Sequence, residues 1–441
     1  MPSLAPPADT IFALASGVGR AAIAVVRLSG PKTRAIVMAL AGALPEPRSA
    51  KLAMLRDPQC GEVIDKGLTL FFPSPESFTG EDYAEVQIHG GRAVAAALMA
   101  ALTLAGARPA GPGEFTRRAV HNGKMDLAAA EGLADLIDAE TEWQRRAALR
   151  QAEGVLGREA AIWRDALLRA SALLAAEIDF PEEDGVPGNV RPALGGLLAP
   201  VLNALKSELA SAPAAERLRE GVVIVIAGPP NAGKSTLLNR LAKRDAAIVS
   251  PIAGTTRDLI EVHFDLRGAP VTLIDTAGLR ENADAIERIG IARAEDKAKS
   301  ADLVLWLSDA ADPVAPAVAG AKVWPVFTKS DLVPLVKRPN GGLSISAATG
   351  ENIDALVEKL ASFAASIVSG GFSGLIARQR HRFSCEMAAS AMERILANPE
   401  GPTELIAEDL RQAIAALKRL TGAIDVEDIL EEIFSRFCIG K

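Results

Sequence analysis

Short apolar runs and longer stretches of helical period alternate along the chain, and their spacing predicts its elements. Residues 21–28 and 68–72 read as strands, and 83–88 as an alternating strand that ends at His89-Gly90-Gly91. Residues 32–40 and the alanine-rich 92–104 read as helices, and Pro112-Gly113-Glu114-Phe115-Thr116 as the start of another. Together they predict an independent α+β domain over 1–124. From 125 to 220 the pattern turns helical. Residues 126–153 carry Leu127, Ala130, Leu133, Ala134 and Ile137 on one face, with Arg145 and Arg146 on the polar side. A second helix is predicted over 157–178, broken by the Pro- and Gly-rich acidic stretch 181–192, and a third over 194–211. Residues 221–370 return to buried strands at 222–227, 271–274, 323–327 and 343–346. Gly370, Gly371 and Gly374 then read as a linker, followed by helices over 375–397, 404–420 and 426–437. The last places Val426, Ile429, Leu430, Ile433, Phe434 and Phe437 on one face. Helices with such stripes cannot bury them alone. The stretches 125–220 and 371–441 are therefore expected to form one helical domain into which 221–370 is inserted. The fold class predicted is α/β and α: an α+β domain, a helical domain and a doubly wound, mostly parallel α/β insert.

The insert carries the chemistry. Gly228-Pro229-Pro230-Asn231-Ala232-Gly233-Lys234-Ser235, followed by Thr236, fits the phosphate-binding pattern G-x-x-x-x-G-K-[ST]. It follows a strand and opens a helix, so backbone N–H groups and a positive helix end face phosphate oxygens. Gly228 and Gly233 permit backbone angles and close approach that a β-carbon blocks. Lys234 reaches the outer phosphates, and the Ser235 hydroxyl suits Mg²⁺. Asp275-Thr276-Ala277-Gly278 closes the strand 271–274: an Asp there suits the magnesium site, and the Gly amide a γ-phosphate. Beyond 323–327 stands Thr328-Lys329-Ser330-Asp331, and beyond 343–346 Ser346-Ala347-Ala348. Asp331 suits the two N–H donors of a guanine edge, the stem of Lys329 the base plane, and the Ala347 amide guanine O6. A site built on such bonds rejects adenine, so the four elements in this order predict GTP and resemble a Ras-like GTPase. Ser250-Pro251-Ile252-Ala253-Gly254-Thr255-Thr256-Arg257-Asp258 lies where the switch loop belongs. Two departures stand out. Leu279 occupies the place of the glutamine that positions water, and Thr328 the place of the usual Asn. The shorter Thr is expected to loosen the base loop, giving weak affinity and fast exchange.

Composition narrows the class. The 441 residues are 49% hydrophobic and 23% charged, which fits an ordered protein of several domains. Cys60, Cys385 and Cys438 lack metal-ligand spacing, and no signal peptide is evident, so a reducing cytoplasm is expected. No apolar run reaches the roughly 20 residues of a membrane span. The net charge of −7 is uneven: 1–124 holds 13 Lys and Arg against 10 Asp and Glu, and the remainder 35 against 45. Any RNA contact must therefore use local basic patches, of which Arg378-Gln379-Arg380-His381-Arg382 is the densest outside the switches, with an ordinary solvated face the equal alternative.

Motifs outside the insert point further. Asp9-Thr10-Ile11, Gly19-Arg20, Arg27-Leu28-Ser29-Gly30, Ser77-Phe78-Thr79-Gly80-Glu81-Asp82, His89-Gly90-Gly91, Pro112 to Thr116 and Asn122-Gly123-Lys124-Met125-Asp126-Leu127 resemble the N-terminal domain of the tRNA-modification GTPases of the MnmE (TrmE) family, and the terminal Phe437-Cys438-Ile439-Gly440-Lys441 matches too. The resemblance spans the chain. It implies a tetrahydrofolate-binding, dimerising domain over 1–124, with folate contacts at Arg27, Glu85, Lys124 and Lys441. It implies a GTPase domain over 221–370 within a helical domain, 125–220 and 371–441. It places Mg²⁺ on Ser235 and Thr256, and K⁺ on Asn231, Ser250, Ile252 and Thr255. It makes Glu287 the catalytic residue in place of the missing glutamine, although spacing alone leaves Glu287 a helix-terminus acid. Cys438, by itself a structural cysteine, becomes a candidate functional thiol because the tail reaches toward the folate site. The implied partners are tRNA, a second copy of the chain and the FAD- and NADH-dependent MnmG in a heterotetramer. The implied reaction adds an aminomethyl-type group to C5 of the wobble uridine. The competing class is a ribosome-assembly GTPase of the Era type, which calls for an appended basic RNA-binding domain.

Overall fold

The computed structural model describes residues 9–17, 19–179, 190–243, 247–248, 260–275, 301–316 and 322–422, together with Ile433, Phe437 and Gly440. The chain divides into two compact units, residues 1–134 with 418–441, and residues 135–417.

In the first unit, β1 (Ile11–Leu14), β2 (Ile23–Ser29), β3 (Lys51–Arg56), β4 (Val63–Phe72), β5 (Tyr83–His89) and β6 (Arg108–Pro109) form one six-stranded sheet in the order β3-β4-β5-β2-β1-β6. Helices α1 (Thr33–Ala41) and α2 (Arg92–Leu104) cover one face, where Val26, Leu28, Leu55, Phe71 and Val86 meet Ile36, Val37 and Leu98. Strand β3 was absent from the predicted elements. Its alternation turns Ala53 and Leu55 inward and leaves Leu52 and Met54 exposed. Helix α3 (Glu114–His121) carries Arg118, which is 2% exposed and pairs with Asp9 at 2.8 Å, Glu114 at 3.1 Å and Glu81 at 3.2 Å. Arg108 adds a bond to Glu114 at 2.6 Å. After α4 (Leu127–Asp138), the tail residues Ile433 and Phe437 pack on Ala130, Ala134 and Val120. The rest of the apolar face predicted for 426–437 lies outside the described residues.

The second unit corrects two readings. The single helix predicted over 126–153 is broken at 139–141, and α5 (Glu142–Ala152) starts afresh. Thr141, in extended conformation, accepts from the Gln144 N–H while Gln144 accepts from the Thr141 N–H. This reciprocal cap was written in the Thr-x-x-Gln spacing. Helices α6 (Val155–Asp179) and α7 (Arg191–Glu220) follow. The sheet comprises β7 (Val222–Ala227), β8 (Ala247–Ile248), β9 (Ile260–Leu266), β10 (Ala269–Asp275), β11 (Leu303–Asp309), β12 (Val323–Thr328) and β13 (Leu343–Ser344), with α8 (Lys234–Ala242) after β7 and α9 (Ile353–Val368) after β13. Its order is β13-β12-β11-β7-β10-β9-β8, with β13, β12, β11, β7 and β10 paired in parallel and β9 antiparallel. The stretch Ile353–Phe372 is long and apolar enough to span a bilayer, but Leu356, Leu360, Ala364 and Val368 are buried in the core of this sheet. Helices α10 (Gln379–Ala397) and α11 (Thr403–Thr421) complete the unit's chain. Helix α10 packs along α7, so segments on either side of the sheet in sequence share one apolar contact.

The second correction concerns the glycines read as a linker. A Cβ on Gly371 would lie 2.5 Å from the Ala214 carbonyl oxygen, and one on Gly374 2.9 Å from the Ser211 hydroxyl. The connector is held along its length: Arg150 donates to the Phe372 carbonyl, Glu208 accepts from the Leu375 N–H at 2.8 Å, Arg219 donates to the Ala377 carbonyl at 2.9 Å, and Arg378 pairs with Asp135 at 2.6 Å. These glycines allow close approach rather than freedom, and α10 begins four residues later than the sequence pattern had placed it.

Two outcomes follow. Gly371→Ala is expected to lower stability by about 1–3 kcal/mol because a backbone carbonyl cannot turn aside. Gly370→Ala, whose nearest neighbour is the Ala214 Cβ at 3.5 Å, is expected to be nearly neutral. Urea-unfolding midpoints of the two variants check this. For Glu114, burial pushes the carboxyl up, but Arg108, the Gly111 N–H and Arg118 outweigh it and hold it at about 2 instead of 4.5. A lowered folded-state value stabilises above the ordinary one, so this contribution is complete above pH 4.5 and is lost as the pH falls toward 2. Hydrogen exchange in β1 and α3 is expected to rise through that window, and Glu114→Gln to remove the rise while weakening the unit at neutral pH.

Candidate nucleotide-binding site

The phosphate loop leaves the sheet at the C-terminal end of β7, between β10 and β11, the crevice where open α/β sheets bind ligands. A Cβ on Gly228 (φ +143) would fall on the Leu307 carbonyl oxygen, so only glycine lets the loop pass β11. Asn231 (φ 60) and Gly233 (φ 85) turn the loop back onto the first turn of α8. Lys234, 7% exposed, donates to the Gly228 and Pro229 carbonyls, both at 2.9 Å, which fixes its ammonium over the loop. Thr236 stands one position beyond Ser235 on the same helix. The Ser235 hydroxyl donates at 2.9 Å to Asp275, which is fully buried at the end of β10. Two hard oxygen donors thus converge beside the loop, a set that suits Mg²⁺.

The side expected to face a base is built from three loops. Thr328 is 2% exposed, and its hydroxyl lies 2.8 Å from the Ala232 carbonyl of the phosphate loop and 3.2 Å from the Ser308 carbonyl. The hydroxyl therefore ties the base loop to the phosphate loop, where the sequence led us to expect slackness. Lys329, in a left-handed conformation, pairs at 2.8 Å with Asp309, whose carboxyl it holds below the usual carboxylate range. Asp331 is exposed. Buried Ser346 closes a turn with Gly350, which places Ala347 at its rim. Sequence reasoning missed a latch between these loops. Glu351 accepts from the Ser330 hydroxyl at 2.7 Å and from Arg338 at 2.6 Å, and its backbone carbonyl accepts from the Ser346 N–H at 3.0 Å. The only sequence signal was an acid just beyond the Ser-Ala-Ala turn.

Several expected site residues lie outside the described residues: Ser250, Pro251, Ile252, Ala253, Gly254, Thr255, Thr256, Thr276, Ala277, Gly278, Glu287, Cys438 and Lys441. Of the expected K⁺ ligands, Asn231 alone is among those described. No cluster of three or more metal-ligating side chains occurs among the described residues.

In the first unit, Arg27 and Glu85 are register partners on β2 and β5, 3.5 Å apart, and the Tyr83 hydroxyl donates to Glu85 at 2.9 Å. The Gly440 carbonyl lies 3.5 Å from the Arg27 guanidinium, and the stem of Lys124 lies against the Gly80 turn. The surrounding motifs meet: the Ser29 hydroxyl contacts both Thr79 and Glu81 at 2.6 Å, and Asn122 donates to the Thr79 carbonyl at 2.6 Å. The basic run 378–382 is dispersed. Arg378 pairs with Asp135, His381 is buried, and Arg382 pairs with Glu386.

Comparison with known proteins agrees along the whole chain. The profile described as MnmE helical domain matches residues 127–438, and that described as GTP-binding protein TrmE N-terminus matches residues 10–124. A tRNA modification GTPase MnmE from Beijerinckia indica subsp. indica is 60% identical over 98% of this chain and 96% of its own. Another, from Rhodopseudomonas palustris strain CGA009, is 51% identical over 99% and 100%. Among solved structures, the G domain of the Thermotoga maritima FeoB iron transporter is 27% identical over 32% of this chain and 98% of its own, with a TM-score of only 0.24. A phosphate loop at the crevice of a parallel sheet, an N-terminal unit whose motifs converge on one polar core, and identity of this extent place the chain in the MnmE (TrmE) family of tRNA modification GTPases.

Proposed function

We propose that this protein hydrolyses GTP to GDP and phosphate and uses the cycle to modify tRNA, installing a carboxymethylaminomethyl or aminomethyl group on C5 of the wobble uridine with a folate one-carbon unit. The observation that carries the GTP reading is the hydroxyl of Thr328 on the Ala232 carbonyl, which joins a phosphate-binding loop to a guanine-reading loop. Asp331 reads the guanine edge, Lys329 covers the base and the Ala347 amide meets O6. Lys234 and the loop amides, with Thr236 at the head of α8, draw off phosphate charge. Ser235 and Thr256 would hold Mg²⁺, and Asn231, Ser250, Ile252 and Thr255 a K⁺. Bound there, such ions would supply positive charge to the leaving phosphates. Glu287 positions the attacking water, a task that Leu279 cannot perform.

In the N-terminal domain, 1–124, Arg27, Glu85, Lys124 and Lys441 would hold a tetrahydrofolate derivative, which supplies the carbon. A carboxylate suits the N–H/NH₂ edge of a pterin, and the cations suit its glutamate tail. Cys438 is a candidate thiol beside that site. Leu52 and its register partner Leu68, with Met54, leave an apolar sheet face exposed, which supports a homodimer through this domain. We assign the helical domain to 125–220 and 371–441, and the GTPase to 221–370. The partner is MnmG, FAD- and NADH-dependent, in a heterotetramer, and the compartment is the cytoplasm.

Nucleoside mass spectrometry of tRNA from cells lacking the gene is expected to show loss of the modified wobble uridines, restored by the wild-type gene but not by Lys234→Ala. Unchanged tRNA with immature ribosomal particles would instead support the ribosome-assembly class. Glu287→Ala is expected to abolish turnover and leave GTP binding intact. For Thr328, removing the hydroxyl in Thr328→Val strands a buried carbonyl, which costs about 1–3 kcal/mol. Release of a fluorescent GDP analogue is expected to quicken by roughly tenfold or more, while Thr328→Ser stays close to wild type.

A further inference from the structure

One short segment of the helical part touches every piece of chain that joins it to the sheet. Its residues are Glu140 to Gln144, the cap and first turn of α5. Gln144 donates at 3.0 Å to the carbonyl of Arg219, where α7 runs into β7. Trp143 meets Phe372 edge to face, with ring centroids 4.7 Å apart, where the chain leaves α9 for α10. Glu140 lies 3.4 Å from His263 on β9. Trp143 also closes on the β9–β10 turn: a Cβ on Gly268 would lie 2.3 Å from its indole Nε1.

The turn is the far end of β10. The near end is Asp275, which accepts the Ser235 hydroxyl at the magnesium site. Every residue of β10 is buried, and it pairs with β9 along its whole length and with β7 from Val271 to Asp275. A strand of this length spans about 20 Å, and one so packed does not bend to absorb a shift. The turn itself is stiffened by Asp265, which accepts from the Gly268 N–H, and by Arg267, which donates to Glu358 at 2.7 Å.

We propose that Trp143 is the contact through which the nucleotide state at Ser235 and Asp275 is passed to helices α5 and α10, with β10 as the rod between. Displacement of β10 at its phosphate end must appear at Gly268, and there it meets an indole that is seated on Phe372, the first residue of the pinned connector to α10. This deepens the GTPase reading and rests on it. The device needs no substrate contact from Trp143. It separates hydrolysis from its use: the nucleotide site stays intact when the indole is trimmed, but the helices no longer sense it.

The test uses the full-length protein in GDP and in a GDP–aluminium fluoride–K⁺ state, followed by hydrogen exchange. In the wild type, amide exchange in 142–152 and 379–397 is expected to differ between the states by about fivefold or more. In Trp143→Ala the difference is expected to fall below about twofold, with GTP turnover within about twofold of wild type and wobble-uridine modification lost. Trp143→Phe, which keeps an aromatic ring, guards against simple misfolding and should give an intermediate response. With Trp306 on β11 replaced by Phe in every variant, the nucleotide-induced change in tryptophan fluorescence should vanish in Trp143→Phe and persist in Trp324→Phe. A full exchange response in Trp143→Ala overturns the proposal, as does a wild type that turns over GTP with no response in α5. A wild type that hydrolyses no GTP overturns the GTPase reading instead.

Discussion

The nucleotide site depends on one close approach, that of the Gly228 backbone to the Leu307 carbonyl. It fixes how the phosphate loop leaves β7, and the other parts are registered to it. Leu307 belongs to β11, and two residues on Asp309 holds Lys329 of the base loop. From the same loop, the Ala232 carbonyl reaches the Thr328 hydroxyl on β12, the strand paired with β11. The phosphate loop and the Thr328 loop are therefore spaced by adjacent strands of a single sheet. A side chain at 228 would push the phosphate loop away from β11 and misplace the two loops together.

The N-terminal unit solves a different problem, a charge with almost no water. Arg118 is nearly buried and faces three carboxylates supplied by Asp9, Glu81 and Glu114. Each comes from a motif far from the others in sequence. Removing one partner of a buried pair costs about 3–5 kcal/mol because the remaining charge is left uncompensated, so the motifs are constrained jointly. The same tie places Ser29 and Thr79 in contact and sets β2 in register with β5, where Arg27 meets Glu85. The polar core thus fixes the backbone beneath the Arg27–Glu85 pair.

What the sequence disclosed was whatever a local pattern encodes. The Val222–Ala227 strand, the glycine loop and the helix after it were legible because periodicity and a fixed spacing determine them. Helix α2 likewise matched its predicted bounds. What escaped depended on partners distant in the chain. Gly371 and Gly374 look the same in sequence whether they give freedom or permit contact, and only the position of Ala214 and Ser211 tells which. Thr328 looks like a weakened Asn until the Ala232 carbonyl is seen within reach of its hydroxyl. The Glu351 latch and the pairing of Arg378 with Asp135 are of the same kind. The break before α5 was legible, since Thr141 and Gln144 stand at capping-box spacing, but the apolar stripe that continues across it masked the signal.

The geometry of an inserted sheet sets a limit on how it can be held. Two chain crossings, at Arg219 to Val222 and at Phe372 to Gln379, fix two points, and a body held at two points can still turn about the line through them. The pinned connector stiffens the second crossing. Contacts away from both crossings are Arg217 on Asp302, Glu140 beside His263 and the turn at Gly268, the last reached through β9 and β10. The two crossings and the Gly268 turn meet on the first turn of α5. Arg217 on Asp302 at 2.9 Å holds the sheet independently of the Gly268 turn, so loss of the Trp143 contact leaves the sheet attached and removes only the contact that reports on β10, which is what a coupling element requires.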